Sequence, residues 1–275
     1  MMGVDLFSGA FNVGPFSDLA LQGAGPDLNF TRYYSSYNFG DFPMSTGWTH
    51  NHFNYIAEDI AGNVVAKWGN GAGSYFVKNI DGSYSGIWGT FDTLVRDVAN
   101  DGYNLTTKDQ TLFAFRRQTV SYNPGSQFIP DMMLYWVQDK NGNKLIYSYI
   151  AGTGLLNSVS KQLNGLTSNQ SLTFQYTTLT GNISRLSQVT DNALGRTVYF
   201  TYNANGDLAS YKDARGNTTT YSYNADRLLT TITYPEGNTV AATYDANQKA
   251  LSSASGGVAL GFDYTKAVSI NKGII

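Results

Sequence analysis

Apolar and polar residues alternate with a period of two over much of this chain, and the alternating runs are punctuated by Gly, Asn and Asp. The run from Leu28 to Tyr34 alternates clearly, and Leu172 to Tyr176 repeats the pattern. Tyr103–Thr107 and Thr111–Phe115 flank a polar Lys-Asp-Gln turn. A period of two sends successive side chains to opposite faces, which predicts half-buried β-strands. No stretch combines a 3.6-residue period with capping residues, so helix is expected to be minimal.

The second half of the chain repeats itself. Segments anchored on Gly195, Gly216 and Gly237 lie 21 residues apart, and each carries a Tyr seven residues on: Tyr202, Tyr223 and Tyr244. Asn203, Asn224 and Asp245 follow those tyrosines. Two looser copies run from Gly142 to Tyr149 and from Gly257 to Tyr264. Five residues after the Gly stands an aromatic in four copies (Tyr147, Phe200, Tyr221, Phe262), and Ala242 takes that place in the remaining one. Positions five and seven share one face of a strand. The run 203–206 is turn chemistry, and Asp213–Gly216 and Pro235–Gly237 close the next turns. Each unit therefore predicts a hairpin, with Leu208, or Leu228 and Leu229, on its second strand. A single hairpin cannot bury its aromatic face, so neighbours must stack into a long antiparallel ribbon. The segment 155–194 reads as a lengthened repeat. Trp68-Gly69 and Trp88-Gly89, 20 residues apart, hint at decayed repeats in the first half.

Composition agrees with this pattern. Charged residues make up 14% of the 275, below the usual ~25%, while 20 Tyr and 15 Phe favour strands and 29 Gly favour tight turns. The net charge is −2 and no basic stripe stands out, so nucleic acid is not an expected partner. No apolar run is long enough for a membrane helix, and membrane insertion is not expected. Cysteine is absent, which excludes disulfides, thiol catalysis and Cys-zinc sites. The segment from Met1 to Phe16 has no basic start and no continuous apolar core, so it does not read as a signal peptide.

Candidate chemistry is sparse. His50 and His52 sit two apart on an expected strand and would share a face, but no third metal ligand accompanies them. Asp139, Asp191 and Asp213 each precede a repeat Gly, which is how turn residues recur and not how a catalytic pair is built. Asn224–Asp226 and Asp245–Asn247 lack the full spacing of a calcium loop. The reading is that no residue is catalytic, none binds a cofactor and none holds a metal. The rows of Tyr could stack on sugars, or could stack on one another as cross-strand ladders. The ladder is the favoured reading.

Gly-x6-Tyr-[Asn/Asp] at a period of 21 resembles the YD repeat of Rhs proteins, whose relatives include teneurins and the TcC subunits of insecticidal toxins. The segment from Gly25 through Arg32 and Tyr33 to Ser35, followed by Gly47, Trp48, His50 and Asn51, resembles the domain that precedes those repeats. The resemblance implies two regions: a pre-repeat β domain over 1–135 and YD repeats over 136–275. It also implies an all-β, antiparallel ribbon of hairpins, an open fragment of the β-cage these proteins build around a C-terminal effector or toxin. On that basis the expected role is a non-enzymatic wall segment of a secreted or cell-surface protein. Its partners would be the rest of the shell and its enclosed effector, or another copy through sheet edges. The alternative is an adhesin or carbohydrate-binding module with glycans as partners.

Overall fold

The computed structural model describes residues 2–87, 89–120, 128–130, 132–256 and 258–264. Trp88 and Gly257 lie outside the described residues. Among the described residues, regular structure is β apart from one 3₁₀ turn at Val98–Asn100, and the pairings between the named strands are antiparallel. Among the described residues no helix is long and apolar enough to cross a membrane.

Three bodies of sheet are built in chain order. The first contains β1 (Met2–Val4), β2 (Phe11–Leu21), β3 (Leu28–Ser35) and β6 (Trp48–His50), hydrogen-bonded in that order. A small hairpin, β4 (Asp41–Phe42) and β5 (Ser45–Thr46), is inserted before its last strand.

The second body is a meander: β7 (Tyr55–Glu58), β8 (Val64–Lys67), β9 (Gly73–Lys78), β10 (Tyr84–Ile87), β11 (Thr93–Asp97), β12 (Gly102–Thr106), β13 (Leu112–Arg117) and β14 (Met132–Gln138). It returns on itself through a bridge between Met133 of β14 and Tyr55 of β7. The resulting ring is filled by Ile56, Val64, Ala66, Phe76, Leu94, Leu105 and Phe115, all buried. The Tyr103 hydroxyl crosses it to donate to Glu58 at 2.8 Å.

The third body grows from β14 as a ribbon of hairpins: β15 (Lys144–Tyr149), β16 (Leu156–Leu163), β17 (Leu166–Leu179), β18 (Ile183–Asp191), β19 (Arg196–Tyr202), β20 (Leu208–Lys212), β21 (Thr218–Tyr223), β22 (Leu229–Thr233), β23 (Thr239–Tyr244), β24 (Ala250–Ser255) and β25 (Val258–Gly261). The interrupted stretch becomes three long strands, the longest being the 14-residue β17.

The turns follow one recipe. Asp59, Asp139, Asn203, Asp213, Asn224 and Asp245 each accept, on a side-chain oxygen, the backbone N–H groups two and four residues on. The residue three positions on then takes a left-handed conformation, as at Gly206 and Gly216. This is the short-polar-side-chain turn the sequence advertises.

The ribbon curves around the N-terminal sheet. β3 lies against β17, β2 against β19 and β1 against β24. Phe30 meets both Phe174 and Phe200 at 5.9 Å between ring centroids, and Trp48 meets Tyr221 at 5.0 Å. The apolar faces predicted for separate hairpins thus bury one common core, each large side chain contributing roughly 1.5–3 kcal/mol.

One residue in this framework is strained. Ser45 has φ of 130°, and its hydroxyl is buried with no hydrogen-bond partner. A non-glycine backbone in that region costs on the order of 1–3 kcal/mol, less the extra chain entropy of glycine. Ser45→Gly is therefore expected to stabilise the protein by about 1 kcal/mol. Urea unfolding would show it as a higher midpoint, and a lower midpoint would refute it.

Candidate functional site: the seam between sheet and ribbon

The repeat tyrosines form a regular set of stitches. Each sits next to a β-bulge, where the register shifts just before Tyr149, Tyr176, Tyr202, Tyr223 and Tyr244. Opposite them in the same hairpins stand Leu156, Leu186, Leu208, Leu229 and Ala250. The backbone carbonyl of each of these accepts the hydroxyl of the tyrosine one repeat later. Tyr176 donates to Leu156 at 3.0 Å, Tyr202 to Leu186 at 2.5 Å, Tyr223 to Leu208 at 2.8 Å, Tyr244 to Leu229 at 2.7 Å and Tyr264 to Ala250 at 2.6 Å. Tyr149 begins the series on Leu134 at 2.6 Å. A bulge frees a carbonyl from the ladder, and the next repeat consumes it. Burial drives the hydroxyl pKa of Tyr149, Tyr176, Tyr202 and Tyr223 well above the ordinary value, so they stay protonated donors. The anchoring Gly142, Gly195, Gly216 and Gly237 all have positive φ and turn the chain into each hairpin.

The N-terminal sheet plugs into this row. Leu28, Phe30, Arg32 and Tyr34 share the face of β3 that meets the ribbon, and all are buried. The Arg32 guanidinium grips the Asp18 carboxylate with Nε and Nη2, the latter at 3.0 Å, and donates Nη1 to the Tyr221 hydroxyl at 3.0 Å. It also lies 4.1 Å from the ring centroid of Tyr211. Burial disfavours the charge on Arg32, yet the attraction of Asp18 and Tyr221 prevails and raises its pKa. Trp48 donates its indole N–H to the Tyr223 hydroxyl at 2.9 Å, and the Tyr34 hydroxyl accepts the Leu229 amide at 2.8 Å. Two tyrosine stitches are thereby tied to the plug.

Asn51 fastens the end of the sheet, accepting the Thr31 amide at 3.0 Å and donating to the Asn29 carbonyl at 3.0 Å. That turn alters the expected histidine geometry. β6 ends at His50, and His52 lies in the turn beyond it, so the two do not share a strand face. Their rings still approach to 6.5 Å between centroids, both against Phe174. His52 lies 2.6 Å from the Asn29 carbonyl and 3.1 Å from the Tyr147 hydroxyl, while Nδ1 of His50 has no partner. Among the described residues no three His, Asp or Glu cluster to hold a metal ion.

A second buried cation ties the β4–β5 hairpin to the ribbon. Arg185 donates to Asp41 at 2.6 Å, to the Phe42 carbonyl at 3.1 Å and to the Gly206 carbonyl at 2.9 Å. Arg227 joins the group by donating to Asp207 at 2.7 Å.

No curated protein sequence matches the chain. Residues 202–239 match the family model described as RHS Repeat. The matched segment holds Tyr202, Leu208, Tyr211, Tyr221, Tyr223, Arg227 and Leu229, so much of the seam with Arg32, Tyr34 and Trp48 is built from residues that resemble an RHS repeat. Among solved structures, the N-terminal domain of effector protein SpvB from Salmonella typhimurium strain LT2 is 12% identical with a TM-score of 0.40, over 90% of this chain and 100% of that one. TcdB2-TccC3 without its hypervariable C-terminal region is 13% identical with a TM-score of 0.39, over 98% of this chain and 16% of that one. TcdB2-TccC3-Cdc42 is 15% identical with a TM-score of 0.38, over 75% of this chain and 13% of that one. The chain thus spans less than a fifth of the TcdB2-TccC3 chains it resembles and the full length of the SpvB domain.

Asp18, Tyr211, Arg185 and Asp41 were not singled out from sequence. For Arg32 a signal was present: it falls in phase with Leu28, Phe30 and Tyr34, on the face that must be buried. For Asp18 no local signal exists, because β2 carries a bulge on each side of Phe16 and Ser17 that breaks its period.

Proposed function

We propose that this chain is a non-enzymatic structural segment of a secreted or cell-surface Rhs-type protein, a piece of wall whose partners are more of the same wall and an effector held by it. The observation carrying this reading is the continuous series of tyrosine stitches from Tyr149 to Tyr264, in which every hairpin secures the next. Such a series has no intrinsic end and can be extended by any further hairpin of the same design. The division into a pre-repeat region up to residue 135 and a repeat region beyond it belongs to the same proposal. So does the starting point of the wall, because the first stitch lands on Leu134. In this reading the N-terminal sheet is a plug that sets the curvature of the first repeats, since residues of four successive hairpins close on it.

In this reading the next strand adds at β25, which among the described residues pairs in register with β24 and exposes Val258 and Leu260. An apolar strand of that kind pairs readily with another chain. Size-exclusion chromatography with light scattering is expected to show mass rising with concentration, and Leu260→Lys is expected to suppress the rise. A monomer at every concentration would count against an extendable edge.

A further inference from the structure

We propose that the cleft between the N-terminal sheet and the ring is a docking site for a proline-rich peptide segment that carries a carboxylate. The cleft has a volume of about 390 Å³. Tyr33 enters it from β3, on the strand face opposite Arg32, Tyr37 from the loop after β3, and Tyr55 and Trp68 from the ring. Tyr37 is 64% exposed, so its ring is offered to an occupant of the cleft and not to the core. Grooves lined by aromatic rings are the form in which folded domains receive proline-rich segments.

The polar groups of the cleft favour this occupant over an ordinary peptide. The hydroxyls of the repeat tyrosines are spent on carbonyls, whereas those of Tyr33, Tyr37 and Tyr55 have no hydrogen-bond partner among the described residues. The side-chain amides of Asn12 and Asn38 also line the cleft and make no hydrogen bond among the described residues. The cleft therefore offers several donors, and no carboxylate lines it as a strong acceptor. An ordinary peptide brings an N–H with every carbonyl, and those N–H groups would want acceptors. Proline brings the carbonyl without the N–H. A polyproline II helix makes no internal hydrogen bonds, so its carbonyls are free to accept from the tyrosine hydroxyls and asparagine amides while its pyrrolidine rings lie on the aromatic faces. Charge sets the remaining feature of the partner. Lys67 lines the cleft and has no ion pair among the described residues. Its ammonium rests 3.4 Å from the Tyr75 hydroxyl and over that ring. An unpaired cation beside a neutral aromatic cleft complements an Asp or Glu side chain set among the prolines.

This site is separate from the tyrosine stitches and does not depend on the wall reading. The test is isothermal titration of the full chain with the peptide Ac-PPEPPEPPEPP-NH2. Three residues per turn place its glutamates on one face of the helix, so one of them meets Lys67 whichever turn enters the cleft. The controls are Ac-PPKPPKPPKPP-NH2, which reverses the charge, and Ac-AGEAGEAGEAG-NH2, which keeps the charge and removes the prolines. The variants are Lys67→Gln and Tyr37→Ala, whose side chains lie outside the buried core. The glutamate-proline peptide is expected to bind at least ten times more tightly than either control. Lys67→Gln should cut its preference over the lysine peptide to within twofold, and Tyr37→Ala should weaken binding of both proline peptides at least fivefold, each with unchanged circular dichroism. The proposal is overturned if the glutamate-proline peptide does not bind, if the proline-free peptide binds as tightly, or if either variant leaves binding as it is in the wild type.

Discussion

Arg32→Met is expected to destabilise the protein by about 3–5 kcal/mol, the largest effect of any single substitution considered. The side chains of Arg32 and Asp18 are 2% and 4% exposed, so neither charge can be solvated once its partner is lost. The variant leaves the Asp18 carboxylate buried opposite an apolar group, frees the Tyr221 hydroxyl and removes the cation from the Tyr211 ring. The Coulombic gain of such a pair mostly offsets its own desolvation, so the pair as a whole contributes little compared with the cost of breaking it. The double variant Asp18→Leu with Arg32→Met should therefore recover most of the lost stability. Arg32→Lys should not, because an ammonium cannot bridge both carboxylate oxygens while stacking on Tyr211. Urea unfolding of the three variants measures all of this. A double variant as unstable as Arg32→Met alone would show that the arginine acts by shape and not by charge.

The ribbon was legible because its repeats announce themselves. A Gly that turns the chain, two in-phase aromatics and an Asx turn recur in step, and local chemistry alone produces the hairpin. The stitches were half legible. The position of each Tyr could be read, but the carbonyl it binds lies across a bulge in the preceding hairpin, and bulges leave no mark in the residue types. Closure of β7–β14 was not legible, since it rests on one bridge between residues 78 positions apart in a region with no surviving period. The placement of the N-terminal sheet inside the ribbon was not foreseen either. Its cause is visible afterwards in β3, which carries Leu28, Phe30, Arg32 and Tyr34 on one face, and only an aromatic surface with a hydroxyl beside it satisfies that set. Arg32 and Trp48 thus mark contact with the ribbon, acting on tyrosines some 170 to 190 positions further on.

The same seam is expected to fail in acid. Burial, reinforced by the neighbouring His52, lowers the pKa of His50 to about 3, and burial lowers that of His52 to about 4. In the unfolded chain both titrate near 6.5. Between those limits the unfolded state binds more protons than the folded one, so stability declines as the pH falls below 6.5 and levels off once the folded values are passed. By pH 4 the two sites together would cost on the order of 5 kcal/mol. The rings packed around His50, those of Phe30, Phe53 and Phe174, offer no counter-charge. The turn carboxylates of Asp139 and Asp213, whose pKa values are also depressed, act only below about pH 4 and leave the histidine window separate. His50→Phe places a ring among three phenylalanines and deletes a nitrogen that has no partner, so it should be near neutral at pH 7.5 and should flatten the decline between pH 6.5 and 4 by about half. His52→Gln keeps a donor for Asn29 and should remove much of the rest. Denaturation midpoints across that range decide the matter: a wild-type profile that stays flat, or a His50→Phe profile as steep as wild type, would place the acid-sensitive group elsewhere.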